Sequence, residues 1–255
     1  MERAVVKNAS KIITNTENMK KAFVERYGQQ YQAKLAVITN GYDEEDFKHI
    51  PMKKRDKFSI CYLGGFYTNP EVNCKYSLLP FWFLKALKEL LEEETGLQDG
   101  IRVFFVGQED RIVEKSIEDL GLGGIVKMTG YVQHAKAIEY LLDSDVSLLI
   151  MYDDSKFKAA VPQKAYEYLR AGKPILLLSE ENAVSQIVSK YNFGKIVHPL
   201  NIAEIKQAIR DLYGQWLVND LRIWKDVDQI QKYERKRLTG ELAEIMNALV
   251  ANHEV

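Results

Sequence analysis

Apolar residues fall into two alternating patterns along this chain. Short runs rich in β-branched and aromatic residues occupy positions 58–63, 102–106, 125–129, 146–151, 174–178 and 195–197. Between them lie longer stretches, 77–94, 110–120, 134–142, 162–171, 182–191 and 201–216, with apolar positions spaced every three or four residues. The first pattern predicts strands and the second helices. Strands alternating with helices imply βαβ units, hence a mostly parallel sheet covered by helices on both faces. The strand runs are continuously apolar, as expected when both faces of a strand are buried. The predicted class is α/β.

Local punctuation agrees. Gly172 follows the predicted helix 162–171 where a left-handed C′ residue is wanted, with Pro174 two positions on. Gly28 is predicted to close an earlier helix, 17–27, in the same way. Asn201 and Glu204 have the spacing of a capping box.

The two ends differ from the middle. Residues 1–39 predict helix, strand (11–14), helix and strand (35–39), a βαβ-like unit too small to bury its own faces. Asn40-Gly41 and the acidic run Asp43-Glu44-Glu45-Asp46 then mark a turn and a connection, polar through Lys57. Near the C-terminus Leu238, Leu242, Ile245 and Leu249 form one face of an amphipathic helix. Either both ends pack on the main sheet, or they belong to a second domain whose bulk is absent from this chain.

Composition narrows the function classes. The 255 residues are 46% hydrophobic and 28% charged, which is globular, and the formal charge of −1 argues against a nucleic-acid binder. Two cysteines, Cys61 and Cys74, and four histidines, His49, His134, His198 and His253, lack metal-ligand spacing, so no protein-built metal site is predicted. Cys61 lies in an apolar run and reads as a core residue, and both thiols are expected to be reduced. The longest apolar runs are about seven residues, against the roughly 20 of a membrane span. Met1-Glu2-Arg3-Ala4 lacks the apolar core of a signal peptide, so a cytoplasmic protein without a transmembrane segment is expected.

In an open parallel sheet, ligands bind beyond the carboxyl ends of the strands. The loops to inspect are Gly64-Gly65-Phe66, Gly107-Gln108-Glu109, Gly130-Tyr131-Val132 and 152–161. No Gly-x-Gly-x-x-Gly or Walker A spacing follows any strand, which disfavours a nicotinamide enzyme. The most specific segment runs from Val161 to Pro174. Pro162 suits a helix start, whose free amides can hold an anion such as a diphosphate. Lys164 and Glu167, three residues apart, share a helical face. A cation beside phosphates and a carboxylate one turn deeper suit a nucleotide, the carboxylate accepting both hydroxyls of a ribose. Spacing alone favours a plainer outcome, an exposed ion pair.

The stretch Glu167-Tyr168-Leu169-Arg170-Ala171-Gly172-Lys173-Pro174-Ile175, preceded by Pro162-Gln163-Lys164, resembles the donor-binding segment of GT-B glycosyltransferases of the family 4 type. Four other segments resemble that family in the same order. Ile38-Thr39-Asn40-Gly41-Tyr42-Asp43 with Phe47 is similar to its interdomain signature, and Gly64-Gly65-Phe66-Tyr67 to the glycine turn opening its C-terminal domain. Arg102-Val103-Phe104-Phe105-Val106-Gly107 resembles its second strand and turn, and Gly130-Tyr131-Val132 with Ser144-Asp145-Val146 a later region. Similarity covers nearly the whole chain.

The resemblance implies a Rossmann-like donor domain, the C-terminal half of a GT-B enzyme. Residues 1–45 would be a remnant of the N-terminal acceptor domain and the interdomain connection, 46–224 the donor-binding domain, and 225–255 a crossover helix. The partners implied are a nucleotide-diphosphate sugar and the missing N-terminal domain, with peripheral membrane contact open to the full enzyme. Reaction with retention and without metal or other cofactor is implied. Glu167 matches the family's ribose-binding Glu, and Lys164 with Glu167 are the implied catalytic pair. Ala160, Val161, Pro162 and Lys164 match the helix start facing the diphosphate, and the backbone of Tyr131 and Val132 lies where the nucleobase sits. Gly64, Gly65 and Gly107 form the glycine turns. Two positions depart from the family. Ala159 stands where another Glu often contacts the donor sugar, and no Arg/Lys pair follows the glycine turn. Asn69, Asn73 and Lys75 occur there instead, leaving Lys75 and Lys158 as candidate cations. Little transfer is expected of this chain alone. The competing expectation is a non-catalytic nucleotide-sugar-binding or assembly module of the same fold, with Ala159 marking lost activity. Both predict exposed apolar surface at Val5, Val6, Leu242 and Leu249.

Overall fold

The first 37 residues build a small parallel βαβ unit. Helix α1 (Glu2–Asn8) leads to strand β1 (Ile12–Thr14), helix α2 (Glu17–Tyr27), a 3-10 segment (Gln29–Lys34) and strand β2 (Leu35–Val37), which pairs parallel with β1. The computed structural model describes residues 2–48, 50, 53, 55–66, 80–151, 158–223 and 228–251. No residue of α2 is buried, which matches a unit too small to cover itself. Val6 is buried, however, against expectation, while Val5 beside it is exposed. Gly28 caps α2 with φ 109° and ψ 155° instead of the left-handed helical values, because the chain turns directly into the 3-10 segment.

The main body follows in regular alternation. Strand β3 (Phe58–Leu63), helix α3 (Phe81–Glu93), the short α4 (Leu97–Gly100), strand β4 (Ile101–Val106), helix α5 (Arg111–Asp119) and strand β5 (Val126–Met128) form the first half. Helix α6 (His134–Asp143), strand β6 (Val146–Ile150), helix α7 (Gln163–Ala171), strand β7 (Ile175–Leu178), helix α8 (Ala183–Lys190), strand β8 (Gly194–Val197) and helix α9 (Ile202–Leu217) form the second. Among the described residues the sheet has the order β5-β4-β3-β6-β7-β8, parallel throughout. This is the doubly wound arrangement, and the order reverses between β3 and β6.

Period-two alternation splits the sheet between two cores. Phe58, Ile60 and Tyr62 of β3 face one core with α3, α5 and α9; Cys61 and Leu63 face the other with α6, α7 and α8. Burial pushes the Cys61 thiol up to about 12, as suits a core residue. Cys74, His49 and His253 lie outside the described residues. Asp145, from the segment shared with the resembled family, accepts from both the backbone amide and the hydroxyl of Ser59 at 2.9 and 2.8 Å. Its role here is to lock the start of β6 against β3.

Two capping expectations resolve differently. Gly172 takes φ 67° and ψ 16°, the left-handed conformation predicted for it. Asn201 accepts from the Glu204 amide, but the Glu204 carboxylate reaches the His198 amide instead of closing the box. A reciprocal box exists at Asn182 and Ser185.

The connection and the C-terminal segment clasp each other. Tyr42 donates its amide to Tyr233 O at 3.1 Å and accepts from the Arg235 amide at 2.9 Å. The 3-10 turn Glu44–Phe47 buries Phe47 in the second core. The final helix, α10 (Arg235–Ala251), buries Leu238 and leaves Leu242, Met246 and Val250 exposed. Among the described residues no helix is long and apolar enough to cross a membrane.

Candidate functional site

The point where strand order reverses opens a cleft of about 570 Å³ at the carboxyl ends of the strands. Leu63, Gly64 and Gly65 line it after β3, Val106, Gly107 and Gln108 after β4, and Tyr131 and Val132 after β5. The start of α7 contributes Pro162, Gln163, Lys164 and Glu167, and α6 contributes His134. A depression of about 590 Å³ lies instead along the outer strand β5, lined by Arg102, Glu109, Glu114 and Lys127 among others. It contains neither the turn after β3 nor any part of α7, so it does not combine anion-holding amides with the candidate acid.

The floor of the cleft is two glycine turns in contact. Gly64 (φ 102°) donates its amide to Val106 O at 2.8 Å. Gly107 has φ 146°, and a Cβ there would lie 2.7 Å from the Gly64 carbonyl carbon. Only glycine allows this approach.

Helix α7 begins at Pro162 with no side-chain cap, so its first amides stay available to a ligand. Its far side is fixed to β3, since the Leu63 amide donates to the buried Tyr168 hydroxyl at 2.7 Å. Lys164 turns back over the end of β3. Its Nζ donates to Leu63 O at 3.0 Å and lies 3.9 Å from the centre of the Tyr62 ring. Burial pushes its ammonium down to about 7, with Glu167 pulling partly the other way. Lys164 and Glu167 therefore do not form the exposed ion pair that spacing favoured.

Glu167 is 6% exposed and faces the cleft instead of bulk water. Gln163 Nε2 donates to its Oε1 at 3.1 Å, and His134 Nε2 lies 3.8 Å from the same oxygen. His134 is also 3.1 Å from Asp46 Oδ2 on the connection. Tyr131 is 86% exposed at the cleft mouth, while Val132 packs against the second core.

The structure brings Gly64, Gly65, Gly107, Tyr131, Val132, Pro162, Lys164 and Glu167 together around one cleft. It leaves the rest of the sequence-derived set elsewhere. Lys158 is exposed and pairs with Glu180 at 3.6 Å, because the loop turns it toward the end of β7. The Val161 side chain is buried in the second core, and Ala160 is not among the lining residues. Lys75, Asn69 and Asn73 lie outside the described residues. Ala159 O accepts from the Thr16 hydroxyl, and Val161 O from Asn40 Nδ2 at 3.3 Å, so the N-terminal segment holds this loop. Gln163, His134, Tyr62 and Asp46 were not singled out as site residues from the sequence, although Gln163 lay inside the donor-binding motif and Asp46 inside the acidic run. Among the described residues no group of three or more His, Cys, Asp or Glu could hold a metal ion.

The sequence pattern of the family described as Glycosyl transferases group 1 matches residues 80–237, more than half of the chain. No curated protein matches the sequence significantly. Among solved structures the chain is similar to a sucrose-phosphate synthase from Thermosynechococcus elongatus, with TM-score 0.71 and 14% identity over 98% of this chain and 61% of that one. It is similar to S. aureus TarM, solved with fondaparinux, α-GlcNAc-glycerol and UDP, with TM-score 0.69 and 12% identity over 96% of this chain and 46% of that one. Anabaena HepE, solved with UDP and glucose, gives TM-score 0.63 and 15% identity over 96% of this chain and 65% of that one. At these identities the likeness is one of fold, and the chain spans less than two thirds of each neighbour.

Proposed function

This chain belongs to the group 1 glycosyl transferases, and from that premise we propose that it is the donor-binding part of a retaining GT-B enzyme of the family 4 type. The enzyme moves a hexose-type sugar from a nucleotide-diphosphate sugar to an acceptor, in the cytoplasm, without a metal. Residues 1–45 are the tail of the acceptor domain and the connection, 46–224 bind donor, and 225–255 cross back. The UDP bound in the TarM and HepE structures supports this class of ligand.

One observation carries the reading. A nearly buried carboxylate, Glu167, faces the cleft one turn inside a helix whose leading amides have no cap. The amides at Gln163 and Lys164 and the Lys164 ammonium offset charge on the departing diphosphate, while Glu167 accepts from the ribose diol. The backbone at Tyr131 and Val132 flanks the base. Catalysis of this kind rests on placement and on charges positioned in advance.

Calorimetry with UDP-, GDP- and ADP-sugars on wild type and Glu167→Ala tests it. Hydrogen bonds to a charged group contribute about 1.5–3 kcal/mol each. Loss of a two-hydroxyl grip therefore predicts a fall in affinity on the order of 100-fold or more. An unchanged affinity overturns the assignment. Ala159, where the resembled family carries Glu, favours a second reading, a non-catalytic binding or assembly module of the same fold. Slow donor hydrolysis that depends on Lys164 is expected of an enzyme and not of such a module.

A further inference from the structure

Glu167 does not set its own orientation. Gln163, one turn earlier on α7, donates Nε2–H to Oε1 at 3.1 Å. His134, the first residue of α6, brings Nε2 to within 3.8 Å of the same oxygen. The same nitrogen is 3.1 Å from Asp46 Oδ2, which fixes the imidazole beside the carboxylate. The 3-10 turn carrying Asp46 is itself fastened to α7, since Arg170 grips Glu44 through two nitrogens and its guanidinium lies 5.0 Å from the centre of the Phe47 ring. Two side chains thus approach one carboxylate oxygen, and the 3-10 turn supports the second of them through Asp46. Among the described residues no hydrogen bond reaches Oε2.

We propose that Gln163 and His134 are positioning residues that commit Oε1 of Glu167 to the protein and leave Oε2 for the ligand, and that they set the preference of the site for ribose over 2′-deoxyribose. The inference rests on the reading of Glu167 as the diol acceptor. Its physical basis is the soft terminal torsion of a glutamate, which is broad and roughly two-fold when nothing holds it. An unheld carboxylate swings to meet whatever hydroxyl or water is present, so a missing hydroxyl costs it little. A held one keeps its lone pairs aimed at a fixed point, and a sugar lacking one hydroxyl leaves a lone pair unmatched on a carboxylate that is itself nearly buried. Gln163 and His134 are themselves exposed or half-exposed, so removing their polar atoms spares the core.

The test is calorimetry on the 255-residue chain. UDP, GDP and ADP are titrated first, and the tightest is then compared with its 2′-deoxy counterpart. The proteins are wild type, Gln163→Met, His134→Ala, His134→Gln, the Gln163→Met/His134→Ala double variant and Glu167→Ala. Wild type is expected to prefer the ribonucleotide. Each single removal is expected to shrink that preference, and the double variant to erase it on the order of tenfold, down to the level of Glu167→Ala. Affinity for the deoxynucleotide should hardly move, and His134→Gln, which restores a donor, should regain part of the preference.

A preference that survives in the double variant but disappears in Glu167→Ala overturns the positioning role and leaves the Glu167 assignment standing. An equal loss of affinity for both nucleotides also overturns it, since that is what damage to the cleft produces. No ribose preference in wild type, no effect of Glu167→Ala, or no binding of any of the three nucleotides removes the Glu167 assignment and this inference together.

Discussion

Lys164 Nζ lies 3.9 Å from the centre of the Tyr62 ring and bonds to the carbonyl of the very next residue, Leu63. A cation of the cleft is therefore held by the end of β3, beside the glycine turn, and not by a partner carboxylate. Packing this close to the strand strips water from the ammonium, which is why burial brings it down to about 7 while Glu167 pulls it partly back.

The pH dependence of donor binding has a definite sign. In the empty cleft Lys164 loses its proton as pH rises through about 7, and an arriving diphosphate favours the protonated form. Affinity is expected to be level below that point and to fall toward about tenfold per pH unit above it. Stability moves the opposite way. Between about 7 and the ordinary lysine value of 10.5 the unfolded chain holds a proton here that the folded chain has lost, so Lys164 makes the fold more stable as pH rises through that window. Nucleotide titrations from about pH 6 to about pH 9 on wild type and Lys164→Met check both ends, since the variant should show a much flatter profile. A level wild-type profile would count against the buried cation.

Gly107→Ala is expected to damage the cleft floor. Its φ of 146° is strained for any residue with a Cβ, and that Cβ would lie 2.7 Å from both the carbonyl carbon and oxygen of Gly64. Neither backbone can yield without shifting a turn. Backbone strain of this kind costs on the order of 1–3 kcal/mol. A lowered urea midpoint together with weakened nucleotide binding is the expected result. Gly123→Ala is the matched control, because nothing lies within 4 Å of a Cβ there.

Much of the architecture was legible in the apolar pattern because each central strand is buried on both faces. Residues 58–63 coincide with β3 as observed, and all six are buried. Helix ends were less legible, since a cap depends on where the next segment goes. Gly28 avoids the left-handed conformation because a 3-10 segment begins at once, and Glu204 turns to the His198 amide while the Asn201 amide is already committed to His198 O. The site was legible where its parts lie within one helix turn, as Lys164 and Glu167 do. Spacing gave no sign of which pair would be buried, because the cover comes from Tyr62 and Leu63 on another element. His134 carried no signal at all, for its partner Asp46 is 88 positions away. Lys158 carried a misleading one. A lysine in the loop before α7 is close to the cleft in sequence, but its ammonium goes to Glu180.

Thr16 joins the small N-terminal unit to the loop that leads into α7, and its substitution is expected to disturb both. Its hydroxyl oxygen accepts from the Met19 amide at 3.0 Å, capping α2, while its proton goes to Ala159 O. The residue is buried, so water does not readily replace either bond. Thr16→Val keeps the shape and removes both. Loss of a Thr cap costs about 0.5–2 kcal/mol, and the half-buried Ala159 carbonyl left without its donor adds about 1 kcal/mol, the low end for an unmade bond. Destabilisation of about 2 kcal/mol or more is therefore expected in urea unfolding, with Thr16→Ser close to wild type. Nucleotide affinity should fall in the same variant, because Ala159 O and Val161 O are the two loop carbonyls that Thr16 and Asn40 anchor, just before the amides that open α7. Asn40→Ala should weaken the nucleotide alongside it. If Thr16→Val loses stability but binds as wild type does, the loop keeps its shape unaided and the N-terminal unit is only a covering.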